Sequence, residues 1–227
     1  MIILLFKYIS LIIIIIILKM LEWLYNLFAK YFKRKKWYII EGNIGSGKTE
    51  LLNKLSENIE CEIIKEPVEI WQTIKGDGKN ILQHFYDLPN RYAHLFQTIV
   101  FITRLQVLDH PQIKPIRFSE RSILTDINIF GKSCIDSKKM SEIEKNTYYM
   151  WFNWLEKKFS KTPDGIIYLQ CSPEKCYERM NKRGRNEESS VPLEYLLEIH
   201  NYHEDWLKSW TKTKILIINN DNDDDWT

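Results

Sequence analysis

The sequence predicts an α/β domain in which a five-stranded parallel sheet is flanked by helices. Three observations predict this fold class: short apolar runs alternate with longer helical segments, a glycine-rich loop joins the first run to the first helix, and charged residues follow the next two runs. The predicted strands are residues 37–40, 61–64, 115–118, 165–170 and 214–218. The candidate helices lie near residues 49–59, 90–109, 141–160, 173–183 and 192–210.

Composition limits the classes of function. The net charge of the 227-residue chain is only +2, so the chain as a whole does not attract nucleic acid electrostatically. We therefore expect no nucleic-acid partner. The four cysteines lack the spacing of a zinc site, and a reduced intracellular domain is the simplest interpretation.

An apolar segment precedes the predicted domain. Residues 1–28 are strongly apolar and would make any membrane contact, and the basic residues 33–36 follow them. Three interpretations stay open: residues 2–18 anchor the chain in a membrane and leave the domain in the cytoplasm, translation starts at Met20, or the segment is an interfacial or packed helix. We therefore separate a hydrophobic N-terminal segment at residues 1–36 from a single domain at residues 37–227.

A P-loop follows the first predicted strand. Its glycines allow backbone N–H groups to converge on phosphates, and the N-terminus of the next helix adds partial positive charge. Lys48 is expected to reach the terminal phosphates of ATP, and Thr49 to hold Mg²⁺. The predicted ATP-binding loop consists of Gly42, Asn43, Ile44, Gly45, Ser46, Gly47, Lys48 and Thr49.

Charged residues also follow the second and third predicted strands. Glu66 comes after the second strand, and Glu120 and Arg121 come after the third. Because ligands of open α/β sheets bind at the carboxyl ends of the strands, these side chains are expected to share one crevice with the P-loop. Glu66 is then a candidate general base, Glu120 a candidate Mg²⁺ ligand, and Arg121 a clamp on a phosphate or on the base.

An arginine-rich segment lies beyond the fourth predicted strand. Arg179, Arg183 and Arg185 fit three interpretations: a solvated helix end, a nucleic-acid patch, or a mobile lid over the transferring phosphoryl group. The P-loop favours the lid, because phosphoryl transfer needs arginines that match the phosphate oxygens. Glu187 and Glu188 follow at once and add acceptors for sugar hydroxyls.

Taken in order, these motifs resemble those of the deoxyribonucleoside kinases, in the branch of the deoxycytidine and deoxyguanosine kinases. The resemblance covers residues 37 to about 226. Its motifs are Glu41 to Thr49, Glu66-Pro67-Val68 with Trp71, Tyr86, Phe96-Gln97, Arg104, Glu120-Arg121-Ser122 with Asp126, Arg183-Gly184-Arg185-Asn186-Glu187-Glu188 and Pro192-Leu193-Glu194-Tyr195-Leu196. It implies the P-loop kinase fold with an arginine-rich lid, and transfer of the γ-phosphoryl group of ATP, with Mg²⁺, to the 5′-hydroxyl of a deoxynucleoside in nucleotide salvage.

The resemblance also implies roles for individual residues. The catalytic residues would be Glu66 as the general base, Arg121 beside the 5′ end of the nucleoside, and Lys48. Gln97 would hydrogen-bond the edge of the nucleobase. The remaining substrate contacts would be Tyr86 and Glu188 at the 3′-hydroxyl, and Phe96, Trp71 and Phe130 as walls of the base slot. The lid would consist of Arg179, Arg183 and Arg185, and Thr49 and Glu120 would lie near Mg²⁺.

Three further residues bear on the choice of substrate. Arg104 and Asp126 match a charged pair beside the base, which leaves little room for the methyl group of thymine. Val100 is bulkier than the alanine expected in a deoxycytidine kinase, so cytosine and purine bases both stay open. We expect deoxycytidine and purine deoxynucleosides as substrates, with discrimination against thymidine.

Two alternatives differ in class. A nucleoside monophosphate kinase of the thymidylate type would share the P-loop and the lid, and a membrane-tethered relative without catalysis would share the fold. The former needs extra arginines for the acceptor phosphate, and residues 66–86 contain none. The resemblance further implies a homodimer that is joined through helices 90–109 and 141–160.

Overall fold

The computed structural model describes residues 16–24, 34–159 and 161–222, and it confirms the predicted α/β class. The main sheet is parallel and has five strands in the order β2-β5-β1-β6-β7. Its strands are β1 (Lys36–Glu41), β2 (Cys61–Ile64), β5 (Ile116–Glu120), β6 (Gly165–Gln170) and β7 (Lys214–Asn219). A separate antiparallel hairpin consists of β3 (Lys75–Gly76) and β4 (Lys79–Asn80).

Helices cover both faces of the main sheet. They are α1 (Lys48–Asn58), α2 (Val68–Thr73), α3 (Ile81–Asp87), α4 (Pro89–Leu108), α6 (Glu142–Phe159), α7 (Pro173–Arg183) and α8 (Leu193–Ser209). Helix α5 is continuous and has three parts: Ile123–Thr125, a π-helical turn at Asp126–Phe130, and Gly131–Asp136. A short 3₁₀ turn, Asn186–Glu188, links α7 to α8.

Strand β1 lies at the centre of the sheet because its apolar run is buried on both sides. Ile39 and Ile40 are each 0% exposed and point to opposite faces. Ile40 packs with Leu52 of α1 and neighbours from β5 and β6. Ile39 packs with Ile199 and Trp206 of α8. Helices α1 and α8 therefore pack on opposite faces of β1, the strand that leads into the P-loop.

Several short elements were not predicted: α2, α3, α5 and the β3–β4 hairpin. Two of them, α3 and the hairpin, have a local signal. Asn80 accepts a hydrogen bond from the backbone of Gln83 and forms a capping box at the start of α3. Asp77 and Gly78 have φ values of 50° and 77°, the left-handed geometry of a tight hairpin turn. Elements of this length lack the periodicity that identified the longer helices.

The N-terminal segment forms a unit of its own, Met1–Lys35, separate from the unit Lys36–Thr227. Within the first unit, residues 16–24 are helical. The anchor predicted at residues 2–18 falls mainly on residues 1–15, which lie outside the described residues. Across the ranges that the structure describes, no helix has the length and apolar character needed to span a membrane.

We predict that Leu52→Ala destabilises the domain strongly. Leu52 is 0% exposed between α1 and the sheet, so truncation would leave a cavity and lower the free energy of unfolding by about 2–5 kcal/mol. Urea unfolding followed by circular dichroism measures the change. Ile113→Ala is the matched control, because Ile113 is 83% exposed and its truncation should change the free energy by less than about 0.5 kcal/mol. Equal effects of the two variants would contradict the described core.

Candidate active site

The P-loop connects β1 to α1 and depends on glycine at two tight positions. Gly45 has φ 80°, and a Cβ there would collide with the backbone of Cys176 in α7, whose carbonyl carbon would lie at 3.1 Å. Gly47 has φ 92° and immediately precedes α1. Residues with a side chain rarely adopt this left-handed geometry, so these glycines let the loop curl over the end of the helix.

Two asparagine side chains, one within the loop and one beyond it, hold the loop in place. Asn43 donates to the carbonyl oxygen of Leu196 at 2.8 Å and accepts from the backbone N–H of Ile44 at 2.8 Å. Asn220, directly after β7, donates to the carbonyl oxygen of Ser46 at 2.7 Å. The loop conformation is therefore held by contacts from α8 and from the end of the sheet.

Lys48, Thr49 and Glu120 meet at the start of α1. The ammonium group of Lys48 donates to the carbonyl oxygen of Asn43 at 2.7 Å and lies 4.0 Å from Glu120 Oε1. The hydroxyl of Thr49 donates to Glu120 Oε2 at 3.0 Å. Burial and the nearby charge of Arg121 lower the pKa of Lys48 to about 8, against the opposing effect of Glu120. Thus the two residues predicted to lie near a metal are adjacent.

Glu66 is held between two arginines. Its Oε1 accepts from Arg104 at 2.9 Å, and its Oε2 accepts from Arg121 at 2.6 Å. Burial alone would raise the pKa of Glu66, but the charges of Arg121 and Arg104 outweigh it and lower the pKa to about 2. Glu66 is therefore a carboxylate with a fixed orientation at neutral pH.

Arg121 occupies a strained backbone position at the end of β5. Its φ of 62° lies in the left-handed region, which costs a residue with a side chain roughly 1–3 kcal/mol. The guanidinium group lies over the ring of Phe130 at 4.8 Å and donates to the carbonyl oxygen of Gly42 at 3.3 Å. This position turns Arg121 from the strand into the crevice beside the P-loop.

Arg104 and Asp126 form the buried pair that the sequence suggested. Arg104 Nε donates to Asp126 Oδ2 at 3.0 Å, and the two side chains are 2% and 0% exposed. Asp126 itself does not line the cavity described below, whereas Arg104 does. Among the residues that the structure describes, none donates a hydrogen bond to Gln97 Oε1 or to Asp126 Oδ1. Buried polar atoms are usually satisfied, and Gln97 lines the cavity, so its Oε1 is a candidate to accept a hydrogen bond from a ligand.

A cavity of about 620 Å³ joins these groups to a cluster of aromatic rings. Trp71 and Phe96 meet edge to face with ring centroids 5.4 Å apart. The indole N–H of Trp71 donates to Thr103 Oγ1 at 2.9 Å, a contact that the sequence did not reveal because the two residues are far apart in the chain. The predicted site residues that line the cavity are Ile44, Gly45, Lys48, Thr49, Glu66, Trp71, Tyr86, Phe96, Gln97, Arg104, Glu120, Arg121, Phe130, Arg183, Arg185 and Glu188.

The three lid arginines separate into two groups. Arg183 and Arg185 both bind Glu188, at 2.6 Å and 2.8 Å. Arg179 does not line the cavity; it donates instead to the carbonyl oxygens of Asn220 at 2.7 Å and Asn222 at 3.0 Å, after β7. Burial, followed by the charge of Glu188, raises the pKa of Tyr86 on the facing helix α3. The cavity end of the lid therefore consists of two arginines around one carboxylate.

Glu187 lies elsewhere than its neighbour. The sequence suggested both glutamates as acceptors for sugar hydroxyls, but Glu187 accepts hydrogen bonds from the side-chain amides of Gln72 and Asn80 and does not line the cavity.

The arrangement of metal-ligating side chains is a separate feature. Among the residues that the structure describes, no cluster of three or more His, Cys, Asp or Glu side chains could hold a metal ion.

Comparisons with known proteins agree with this geometry. A family model described as deoxynucleoside kinase matches residues 38–227. Deoxycytidine kinase 2 of Gallus gallus is 36% identical over 205 residues, which cover 80% of this chain and 77% of that protein. Thymidine kinase 2, mitochondrial, of Homo sapiens is 40% identical over 176 residues, which cover 77% of this chain and 66% of that protein. Deoxyguanosine kinase, mitochondrial, of Xenopus laevis is 35% identical over 193 residues, which cover 76% of this chain and 73% of that protein.

The match begins within β1 and extends through the P-loop, the lid and β7. It therefore includes every residue of the cavity. The sequence-based prediction of the family is confirmed, as is the prediction of its fold. The chain belongs to the deoxynucleoside kinase family.

Proposed function

We propose that this protein transfers the γ-phosphoryl group of ATP to the 5′-hydroxyl of deoxycytidine and purine deoxynucleosides. One observation carries the proposal: a single cavity contains a P-loop lysine, a carboxylate between two arginines, and an aromatic slot. The P-loop suits a triphosphate, and the slot suits a flat base. Glu66 lies between them, where the 5′-hydroxyl of a nucleoside in the slot would approach the phosphate.

In the proposed reaction, Glu66 accepts the proton of the 5′-hydroxyl while the new bond to the γ-phosphorus forms and the bond to ADP breaks. Because its pKa is low, Glu66 is a weak base towards a free alcohol, so most of the proton transfer would follow the rise in acidity of the attacking oxygen. Arg121 and Arg104 would mainly fix the direction of the carboxylate. Lys48, Arg183 and Arg185 would stabilise the negative charge of the transferring group.

Mg²⁺ is the proposed cofactor. Thr49 and Glu120 supply a hydroxyl and a carboxylate in contact with each other, and oxygen ligands of this kind suit Mg²⁺ when phosphates complete its coordination. When bound, the ion would neutralise charge on the phosphate oxygens of ATP. Thr49 and Glu120 would hold it at the N-terminus of α1.

One unpaired acceptor supports the proposed choice of base. Gln97 lines the cavity, and its Oε1 accepts no hydrogen bond from the described residues. Cytosine, adenine and guanine each carry an exocyclic amino group that can donate to such an atom, whereas thymine carries a methyl group and only one N–H donor. Since a relative named thymidine kinase 2 is also similar to this chain, the buried charged pair Arg104–Asp126 is the feature on which discrimination against thymidine is proposed to depend.

The alternatives are less well supported. Between Glu66 and Tyr86 the chain has no arginine for a second phosphate, so a nucleoside monophosphate kinase is not favoured. A relative without catalysis would not need Glu66, Lys48 and Arg121 together in one cavity.

We propose residues 37–227 as the catalytic domain, with a reduced and cytoplasmic setting.

A homodimer is proposed through α4 and α6. Helix α6 buries Phe152 and Leu155 but leaves Met150 and Trp151 60% and 48% exposed. Leu95 of α4 is also 48% exposed. Large exposed apolar side chains on adjacent helices are typical of an interaction surface.

We predict that Glu66→Gln lowers kcat by about 10²- to 10⁴-fold, because the amide cannot accept the proton. Steady-state assays of the full chain measure it. Glu57→Gln, at an exposed carboxylate on α1, is the control and should retain activity. Wild-type turnover by Glu66→Gln would remove Glu66 from the mechanism.

The low pKa of Glu66 predicts the pH dependence of the native enzyme. Because that pKa is about 2, Glu66 stays ionised well above this value, so its protonation should not reduce kcat between pH 5 and 8.

We predict that kcat/KM is higher for deoxycytidine, deoxyadenosine or deoxyguanosine than for thymidine. Removing the charged pair with Arg104→Met and Asp126→Ala together should raise the thymidine-to-deoxycytidine ratio, by 10-fold or more on the scale of one buried polar mismatch. The paired change avoids leaving one buried charge alone. A nucleoside panel with purified wild type and double variant gives both ratios. Thymidine as the best wild-type substrate would contradict the proposed specificity.

We predict that the protein elutes as a dimer, with about twice the 27.4 kDa mass of the chain. Trp151→Glu should shift it towards the monomer, because it places a charge in the proposed apolar interface. Size-exclusion chromatography with light scattering measures the mass. Leu216→Glu is the control, since Leu216 is an exposed apolar residue, 57% accessible, on the edge strand β7. A monomeric wild type would refute the dimer.

A further inference from the structure

The 3₁₀ turn between α7 and α8 carries two glutamates with different partners. Glu188 binds Arg183 and Arg185 at the cavity. Glu187 Oε1 accepts from Gln72 Nε2 and from Asn80 Nδ2, each at 2.8 Å. Neighbouring residues of one short turn therefore contact the lid arginines on one side and the elements α2 and α3 on the other.

The Glu187 contacts are well protected. The residue is 8% exposed and Asn80 is 7% exposed. Burial alone would raise the pKa of Glu187, but hydrogen bonds from its own backbone N–H, Asn80 and Gln72 lower it. The carboxylate is therefore ionised at neutral pH, and hydrogen bonds to an ionised acceptor are stronger than those between neutral groups.

The partners of Glu187 belong to helices that surround the nucleoside side of the cavity. Gln72 follows Trp71, the buried aromatic wall, in α2. Asn80 caps α3 by accepting from Gln83, and α3 carries Tyr86. Both Trp71 and Tyr86 line the cavity. A movement of the lid turn would thus be transmitted to the base wall and to the residue expected at the 3′-hydroxyl.

We propose that Glu187 is a positioning residue that couples the phosphate-donor site to the nucleoside site. The proposal rests on the proposed function. Donor phosphates compete with Glu188 for Arg183 and Arg185, and the turn responds to that exchange. Glu187 carries the response to α2 and α3, while Glu188 is released to accept the sugar hydroxyl. Donor and nucleoside each bind more tightly when the other is present, by the same factor.

Isothermal titration calorimetry tests the coupling directly. Deoxycytidine and deoxyguanosine are titrated into the full chain with and without the Mg²⁺ complex of β,γ-methylene-ATP. In the wild type, the analogue should lower the nucleoside Kd by about five-fold or more. In Glu187→Ala, this ratio should fall to within about two-fold of unity, whereas a merely structural role would lower the melting temperature and leave the ratio unchanged.

Two other variants sharpen the test. Gln72→Met removes one donor to Glu187 with little change in size, and it should reduce the ratio even if Glu187→Ala does not fold. The double variant should behave like Glu187→Ala alone, since both changes remove parts of one connection. Glu178→Gln, at a carboxylate on α7 that is 63% exposed, is the matched control and should keep the wild-type ratio.

The outcomes separate this inference from the proposed function. A wild-type ratio that persists in Glu187→Ala or in Gln72→Met overturns the coupling and leaves the kinase assignment intact. A wild type that binds both ligands without any coupling also overturns it. If the wild type binds neither nucleoside, the proposed function fails and the inference fails with it. A ratio that is lost in Glu187→Ala, reduced in Gln72→Met and kept in Glu178→Gln supports it.

Discussion

The architecture of this site depends on the carboxylate of Glu66 and its two arginine partners. Glu66 follows β2, Arg121 follows β5, and Arg104 comes from the long helix α4. Three buried charges that meet in this way are costly unless each is matched, because an unpaired charge in the interior loses its hydration. The network therefore requires a close fit between the sheet edge and α4. It also explains why the cavity holds an oriented carboxylate close to the P-loop.

The same network connects the reacting end of the substrate to the base end. Arg104 binds both Glu66 and Asp126, so one guanidinium group connects the proposed proton acceptor to the buried carboxylate on which the proposed discrimination against thymidine depends. In a low-dielectric site, a change at one partner alters the field at the other. Recognition of the nucleobase and orientation of the proton acceptor Glu66 therefore depend on the same buried charges.

The sequence predicted the fold, and most of the site residues that it suggested line one cavity, for physical reasons that concern particular residues. A strand such as β1, whose Ile39 and Ile40 are buried on opposite faces, gives an uninterrupted apolar run, and the residues that follow strand ends must gather at one edge of the sheet. Contacts that depend on tertiary packing gave no such signal. Arg179 reaches the loop after β7, Glu187 turns towards Gln72, and Thr103 holds Trp71 from a distant helix. Each of those side chains could satisfy its polar atoms in several ways, and only the packing selects one.

The π-helical turn at Asp126–Phe130 has a consequence for how this family can vary. Asp126 pairs with Arg104, and Phe130 stacks under Arg121, so both ends of the turn contact the network. Gly131, just beyond it, packs so tightly against Tyr148 that a Cβ would collide with the phenol ring, whose nearest ring carbon would lie at 2.8 Å. Losing one residue between Asp126 and Phe130 would convert the turn to regular helix and change the spacing of these two residues. The number of residues in this turn is therefore under stronger constraint than the identity of its middle residues, and insertions or deletions should be rarer here than substitutions.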